Sequence, residues 1–301
     1  GIFAIVCIWL SRNVLWAAIW PKQLDVSEIV ASNTNTVTDW TTDNLRFITV
    51  SFKDFISNYV LNSIQALLAG SPWFITITMI ALIAYLLGGR KVALLAIGLM
   101  LLIVACGLWY ETMVTLTQTL VATMLTMILG VILGVWIGRS QKAYKILRPF
   151  LDAGQTLPAF VYLVPILGLF GPSRFTAIVT GIVYSIPVVV KIVGEGIKGV
   201  STTMIEAATA AGSNAWQLIT KVQLPAAKRS LLLATNQGLI FVLAVVVIGG
   251  FVGSGGLGYL VIVGGSKPEL QGKGLVAGFS ILLLGVMIDR IAHASARKYG
   301  N

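Results

Sequence analysis

The chain has 301 residues, of which 57% are hydrophobic and only 11% are charged, and its mean hydropathy is +0.91. These values exclude an ordinary soluble enzyme or binding module and predict a protein embedded in a lipid bilayer. The formal net charge of +10 does not indicate nucleic acid as a partner, because basic residues in so apolar a chain are typical of loops that fix membrane orientation.

The predicted fold is all-α and polytopic, with about eight transmembrane helices, because eight segments approach the roughly 20 apolar residues that a span needs. Ser11, Arg12 and Asn13 interrupt the first of them. The segments are residues 1–20, 72–88, 92–109, 113–137, 155–171, 175–193, 231–252 and 274–291. No acidic residue occupies the middle of a span, which disfavours a transporter driven by protons or sodium ions.

The distribution of lysine and arginine predicts the orientation of the spans. With the amino end inside the cell, 14 of these residues fall on cytoplasmic connections and 6 on external ones, and Arg12 stays unassigned. This excess is the bias expected of cytoplasmic loops, so both termini are predicted to be cytoplasmic. Residues 21–44 then form a polar external stretch, and residues 45–68 have apolar side chains near one helical face. We expect that second segment to lie on the outer interface or to pack on neighbouring helices as a scaffold.

Residues 194–230 form the longest cytoplasmic connection and carry helical signals of their own. Thr203 and Glu206 have the spacing of a capping box, apolar residues follow at helical spacing, and Gly212 allows a stop or a bend. A second apolar stretch, which includes Trp216, ends at Pro225. The pattern predicts a compact helix, turn and helix at the cytoplasmic face.

The same stretch resembles the EAA signature of the permeases of binding-protein-dependent ABC importers. Glu206, Ala207 and Ala208 are followed after three residues by Gly212, and after nine more by Val222, Gln223, Leu224 and Pro225. Residues 152–171, 216–225 and 249–265 resemble the branch that carries glycine betaine, proline betaine and choline. The resemblance extends over residues 113–292.

This resemblance implies a type I importer permease, with a core of five helices in each of two permease subunits, in the bacterial cytoplasmic (inner) membrane. It implies two cytoplasmic ATPase subunits that hold ATP and magnesium, and an external binding protein that delivers the solute. No cofactor is expected in this chain itself. The EAA residues would dock on the ATPase: Glu206 with its carboxylate, Ala207 and Ala208 by allowing close approach, Gly212 as the turn, and Leu224 and Pro225 at the end of the motif.

Prolines inside the predicted spans indicate a candidate pathway for the solute. Pro158 and Pro165 are expected to bend or break the fifth span, and Pro187 the sixth, which frees carbonyl groups that a water-filled cavity could satisfy. For each candidate residue taken singly, ordinary packing between helices is about as good an explanation as a role in the pathway. The candidate pathway residues are Gln155, Thr156, Pro158, Phe160, Tyr162, Pro165, Tyr184 and Ser185.

Two sequence patterns argue against a nucleotide site, a metal centre or an enzyme active site in this chain. Residues 253–258 read GSGGLG, but they follow an apolar span instead of a strand, so we expect a turn at the external surface and no nucleotide site. Cys7, Cys106 and the single histidine, His293, have no metal-ligand spacing and no paired carboxylates lie within the spans, so neither a metal centre nor an embedded enzyme is predicted.

We therefore predict an N-terminal extension over residues 1–112, a permease core over 113–292 with the connection 194–230, and a cytoplasmic tail over 293–301. The predicted function is ATP-driven import of glycine betaine or a related compatible solute. Choline, carnitine or trimethylamine N-oxide is the alternative cargo, and an amino acid or an aliphatic sulfonate ranks below these three. A channel that conducts solute without ATP is the alternative from a different class.

Overall fold

The computed structural model describes residues 5–9, 26–45 and 47–299, and every regular element that it describes is helical. The helices are α1 (Val26–Asn44), α2 (residues 47–69), α3 (Trp73–Gly88), α4 (Arg90–Ala105), α5 (Trp109–Arg139), α6 (Gln141–Thr156), α7 (Ala159–Phe170), α8 (Arg174–Lys198), α9 (Thr202–Ala210), α10 (residues 215–226), α11 (Lys228–Ile248), α12 (Gly256–Ser266) and α13 (Gln271–Tyr299). Short 3₁₀ turns at Gly249–Val252 and Pro268–Leu270 flank α12.

Four of these helices are long and apolar enough to cross a membrane, namely α5, α8, α11 and α13. Two further spans are possible if each of two bent pairs counts as one: α2 with α3, which meet at 105°, and α6 with α7, which meet at 101°. The described residues thus support four to six spans. The first predicted span lies largely outside them, and the total of eight stays a prediction.

Helix α8 forms the centre of the bundle. It packs against both α5 and α11, and 61% of its most apolar stretch of 18 residues is buried. Three glycines of α5, spaced four residues apart, let α8 approach closely: a Cβ atom on Gly130 would lie 2.4 Å from the side chain of Val189, and one on Gly134 would lie 2.6 Å from that of Val193. Rows of small residues are common where membrane helices pack, because lipid is as apolar as the side chains and close van der Waals contact must hold the helices together.

Outside this centre, large apolar side chains face outward from several spans. Ile132 on α5 is 62% exposed, Val164 on α7 is 71% exposed and Leu275 on α13 is 73% exposed. So much exposed apolar surface requires an apolar surrounding, which a lipid bilayer provides. The chain is thus a membrane protein that crosses the bilayer several times.

Helix α2 packs on the bundle as a scaffold. Ile56, Leu61 and Leu68 are buried against it, whereas Phe55 and Tyr59 from the predicted apolar face are exposed. Two π-helical stretches, Phe47–Phe52 and Ile56–Leu61, rotate the later side chains relative to a regular helix, which is why the predicted face is only partly correct. Arg174 of α8 donates to the side chains of Asn62 and Gln65 at 2.9 and 2.6 Å and fixes the carboxyl-terminal part of α2.

Three stretches differ from the sequence prediction or extend it. Residues 26–44 of the polar stretch form helix α1, which belongs to a separate compact unit, Gly1–Arg46. Helix α12, which was not predicted, follows the glycine turn and packs on α13, where the backbones of Gly264 and Gly274 meet. Its 11 residues are too few for a span, so a search for spans passes over it. Helix α13 continues to Tyr299, so residues 293–299 extend the last helix instead of forming a separate tail.

Candidate functional site

The connection between α8 and α11, residues 199–227, is called the connecting segment below, and it forms the predicted helix, turn and helix. Helix α9 ends in a turn at Gly212, whose φ angle of 81° lies in the left-handed region. The Gly212 N–H donates to the Thr209 carbonyl at 2.9 Å and the Ser213 N–H donates to the Ala208 carbonyl at 3.0 Å. This pair of bonds is a Schellman motif, for which glycine is the preferred residue. Gly212 is therefore the turn that the sequence predicts.

A capping box is present in the connecting segment, but not where the sequence predicts it. Helix α9 begins at Thr202, with Ser201 as an N-cap that makes no side-chain bond. Because the helix begins before Thr203, Glu206 lies too far along it to cap, and the predicted pair with Thr203 is wrong. The box instead opens α10, where the Asn214 and Gln217 side chains each accept from the other residue's backbone N–H at 2.9 Å.

Two kinds of contact hold the connecting segment on the membrane bundle. Ile205 and Leu224 pack against the buried cluster that includes Val193 of α8. Arg139, at the end of α5, donates a hydrogen bond to the side chain of Gln223, which is only 5% exposed. A hydrogen bond from a charged group to a buried amide is among the stronger side-chain interactions, so the segment is firmly attached to α5 and α8.

The opposite surface of the connecting segment is open. Glu206, Ala207 and Pro225 are exposed, and Ala208 is partly exposed. Trp216 is 72% exposed, an unusual position for the largest apolar side chain. Within the described residues, the Glu206 carboxylate makes no hydrogen bond and no ion pair. The segment therefore presents small, apolar and acidic groups together, a surface suited to a partner that brings its own apolar pocket and hydrogen-bond donors.

A second feature is an open cleft of about 450 Å³ beside α8, called the aromatic cleft below. Its lining residues are Gln155, Val188, Ile192, Leu233, Gln237 and Phe241, contributed by α6, α8 and α11. Lys191 holds the Gln155 side chain at 2.8 Å and also forms an ion pair with Asp152. The two amide groups of Gln155 and Gln237 give this mostly apolar cleft hydrogen-bonding capacity without net charge.

Aromatic rings continue from this cleft into the bundle. Tyr184 of α8 lies 5.6 Å from the ring of Phe241 and 5.8 Å from that of Tyr162, measured between ring centroids. Phe160 does not join this row but contacts Phe251 at 5.2 Å. Of the predicted pathway residues, Gln155 lines the cleft, and Tyr162 and Tyr184 belong to the row of rings that begins at Phe241 in the cleft. Phe160 belongs to neither.

Of the three prolines, only Pro158 breaks a helix. It is the N-cap of α7, at the 101° bend between α6 and α7. Pro165 and Pro187 lie inside α7 and α8, which continue through them, so of the predicted bend or break the break does not occur at these two positions. The bend is fastened by Tyr162, whose hydroxyl donates to the Gly154 carbonyl at 2.7 Å.

The remaining two candidates have local roles. Ser185 is fully buried; its hydroxyl lies 3.1 Å from that of Thr126 on α5 and 2.6 Å from the Gly181 carbonyl, which places it in the packing of α5 on α8. Thr156 is exposed at the end of α6 and donates to the Ala153 carbonyl at 2.9 Å. Ser185 therefore does not line the cleft in this structure.

Sequence analysis missed three residues of this region: Phe241 and Gln237 in the cleft, and Lys191, which orients Gln155. Gln237 and Phe241 lie in α11, an apolar span that contains no proline and none of the other candidate residues. Their only available signal was the spacing of four residues, which places an amide and a ring on one helical face.

Residues 253–255 of the glycine-rich stretch form the predicted turn, and residues 256–258 are the first residues of α12. Gly253, Gly255 and Gly256 all have positive φ angles near 70°, at 70°, 73° and 70°. A Cβ on Gly256 would lie 2.5 Å from the hydroxyl of Thr115, so this loop packs tightly on α5. Among the described residues, no three His, Cys, Asp or Glu side chains are placed to hold a metal ion.

A bundle of apolar helices with one exposed helical hairpin on a polar connection is the architecture of a membrane-spanning protein with a surface open to a partner. Residues 127–301 match the family described as "Binding-protein-dependent transport system inner membrane component". The match takes in more than half of the chain, and the chain belongs to this family.

Curated relatives agree with this assignment. The chain is 36% identical to the glycine betaine/proline betaine transport system permease protein ProW of Escherichia coli (strain K12), over 86% of this chain and 74% of that protein. It is 35% identical to the glycine betaine/carnitine transport permease protein GbuB of Listeria monocytogenes serotype 1/2a (strain 10403S), over 70% of this chain and 75% of that protein.

A solved structure is similar in fold. The inward-facing MetNI methionine ABC transporter contains a chain that aligns with a TM-score of 0.54 and 25% identity, over 62% of this chain and 95% of that one. The resemblance to an ABC importer permease is thus confirmed at the level of family and fold.

Proposed function

We propose that this chain is the permease subunit of an ATP-driven importer for glycine betaine or a similar compatible solute. The names of the relatives support this cargo, and the exposed connecting segment, which carries an unpaired carboxylate beside small residues, supports the coupling to a partner. ATP and magnesium belong to that partner, and an extracytoplasmic binding protein delivers the solute.

In this proposal the connecting segment docks on the cytoplasmic ATPase. Glu206 accepts hydrogen bonds from the ATPase surface, Ala207 and Ala208 allow close approach, and Trp216 enters an apolar pocket. Gly212 sets the angle between α9 and α10, while Leu224 and Pro225 join the docked surface to α11. The bond between Arg139 and Gln223 then passes the motion on to α5. Each chain has a single such segment, so a motor with two ATPase subunits calls for two permease subunits, which we propose to be identical.

The aromatic cleft is the proposed part of the pathway within this subunit. A trimethylammonium group has no hydrogen to donate, so proteins attract it with the faces of aromatic rings. Tyr184 and Phe241 supply such faces, and Gln155 supplies an amide near the mouth that is able to meet a carboxylate. Because the contacts with these rings and this amide are individually weak, a solute is able to move from one contact to the next instead of being trapped. Carnitine, choline and trimethylamine N-oxide carry a similar methylated nitrogen and form the second group of candidate cargoes.

The test is uptake of labelled glycine betaine into proteoliposomes that hold this chain with its ATPase and binding protein. We expect saturable uptake that requires ATP and both partners, with carnitine and choline as competitors. Uptake by the chain alone, indifferent to ATP, would identify a channel. Uptake that needs ATP but is competed only by an amino acid would keep the importer and replace the cargo.

A further inference from the structure

A cavity of about 820 Å³ lies between the turn that joins α3 to α4 and the last turns of α13. It is separate from the aromatic cleft and shares no lining residue with it. Its polar lining residues are Lys91, Asp289, Arg290, His293, Arg297 and Lys298. We call it the basic cavity.

The charge of this basic cavity is strongly positive. Four lysine and arginine side chains face a single carboxylate, Asp289, which is already engaged with His293 at 2.9 Å. Lys298 donates to the Leu86 carbonyl at 2.7 Å. Within the described residues, Lys91, Arg290 and Arg297 make no hydrogen bond or ion pair. Three like charges around one cavity repel each other, and an anion placed between them removes that repulsion.

An apolar groove adjoins the basic cavity, so a ligand that fills both needs an apolar part as well as an anionic group. This groove, of about 490 Å³, runs between α11 and α13 and shares Asp289 and Arg290 with the cavity. Apart from these two residues, its lining is entirely apolar, from Leu239 to Val247 on α11 and from Ile281 to Ile288 on α13. Eight helical residues span about 12 Å, which is long enough for a substantial part of an acyl chain.

The position along the bundle also fits a ligand from the membrane. Asn236, early in α11, lies 3.3 Å from His293, so the basic cavity is at the same end of the bundle as the connecting segment, which leads directly into α11. Basic pockets between membrane helices at this level are known to hold the head groups of anionic lipids. A soluble phosphate would use the cations but would leave the groove empty.

From this geometry we propose that the basic cavity and the apolar groove together bind an anionic phospholipid, with its phosphate among Lys91, Arg290 and Arg297 and an acyl chain between α11 and α13. The lipid joins α3, α4, α11 and α13 from the outside. This site is independent of the solute pathway and of the cargo.

Native mass spectrometry of the purified transporter tests the proposal with three probes: dioleoyl phosphatidylglycerol, dioleoyl phosphatidylcholine and glycerol 3-phosphate. We expect phosphatidylglycerol to remain bound and the other two to bind at least tenfold more weakly, because one lacks net charge and the other lacks acyl chains. Equal binding of glycerol 3-phosphate would replace the lipid by a soluble phosphate, and equal binding of phosphatidylcholine would show that the cations do not select the ligand. Either result overturns the proposal.

Two variants locate the binding. Changing Lys91, Arg290 and Arg297 together to glutamine removes three charges and should weaken phosphatidylglycerol by roughly 100-fold, at about fivefold for each cation. Ala244→Trp fills the exposed part of the groove and should weaken the lipid while leaving weak glycerol 3-phosphate binding unchanged. The matched control, Lys142→Gln with Lys145→Gln, removes exposed charges from α6 and should change nothing. Undiminished phosphatidylglycerol binding by the triple variant, when it elutes as a folded complex, would contradict the proposed site.

Discussion

The connecting segment and the aromatic cleft are held together in different ways. In the connecting segment, hydrogen bonds between residues three to five positions apart set the turn at Gly212 and the start of α10 at Asn214. Gln155 and Phe241 line the cleft and Tyr184 contacts the ring of Phe241; these residues come from three helices and lie close together only because those helices pack together. A single substitution is therefore able to destroy the shape of the segment, whereas the cleft spreads its contacts over many residues. We expect the largest mutational effects in the segment and graded effects in the cleft.

Gly212→Val should have the largest effect. Its backbone lies in the left-handed region, which costs a side-chain-bearing residue about 1–2 kcal/mol and a β-branched residue more, so the turn between α9 and α10 should open. We expect ATP-driven uptake to be lost while the protein still inserts and folds. Uptake and ATP hydrolysis are measured in the same proteoliposomes.

Gly107→Val is the matched control for this variant. Gly107 also has a positive φ, of 72°, and open space around its Cβ position, but it lies in the turn between α4 and α5. It should carry a similar strain and leave coupling intact. If both variants lost uptake equally, strain alone would explain the result and Gly212 would have no special part in coupling.

Glu206→Ala should have the next largest effect. The carboxylate has no partner within the described residues, so its removal should cost the folded chain little. If it accepts hydrogen bonds from the ATPase, the loss should weaken association of the two proteins about tenfold, since bonds to charged groups are worth about 1.5–3 kcal/mol. Co-purification of the ATPase and coupled uptake measure this.

Glu269→Ala provides the comparison for Glu206, because Glu269 is an exposed acid in the short 3₁₀ turn before α13. It should not alter ATPase binding. Unchanged association in the Glu206 variant would mean that Trp216 and the alanines carry the docking without the carboxylate.

The two regions also differ in how far the sequence predicts them. The helix, turn and helix of the connecting segment follow from local signals, because glycine and capping residues act over three to five positions. The capping box was placed at the wrong residues, since Ser201 begins α9 before Thr203 does. For the cleft and the row of rings beside it, the sequence predicts Gln155, Tyr162 and Tyr184 but not Phe241 and Gln237. Pairing of side chains across helices depends on packing, which no window of the sequence contains.

The same distinction explains the errors in the fold. Helix α12 is not predicted because its 11 residues fall below the length of a span and because glycines with positive φ, Gly253, Gly255 and Gly256, lie before and at its start. Of the bend or break expected at Pro165 and Pro187, the break does not occur, because α7 and α8 continue through these residues. The apolar face of α2 was only partly predicted, because π-helical turns change the spacing of its side chains.

Tyr184→Leu should reduce uptake moderately. Removing the aromatic face between Tyr162 and Phe241 should lower the uptake rate at limiting solute about fivefold, as expected for a cation–π contact of about 1 kcal/mol. Binding of the ATPase should not change. Tyr184→Phe should keep most of the rate, because the ring is retained.

Phe279→Leu is the control for Tyr184. Phe279 is a half-exposed ring on α13 that neither lines the cleft nor belongs to the row of Tyr162, Tyr184 and Phe241. Its loss should leave uptake unaltered. A Tyr184→Leu variant with full uptake of glycine betaine, carnitine and choline would show that this row of rings serves packing alone.

Ser185→Ala should have the smallest effect, and it decides between the two interpretations of that residue. The hydroxyl is fully buried and reaches Thr126 across the contact of α8 with α5, so it is out of reach of a solute in the cleft. A hydrogen bond between membrane helices contributes about 0.6 kcal/mol on average, so unfolding in detergent should begin only slightly earlier. Uptake should stay within about threefold of the unaltered chain, because a change of about 0.6 kcal/mol corresponds to slightly less than that factor. If instead uptake fell tenfold while thermal stability was unchanged, α8 would have to turn this hydroxyl toward the solute during transport, and the packing between α5 and α8 would itself be part of the moving pathway.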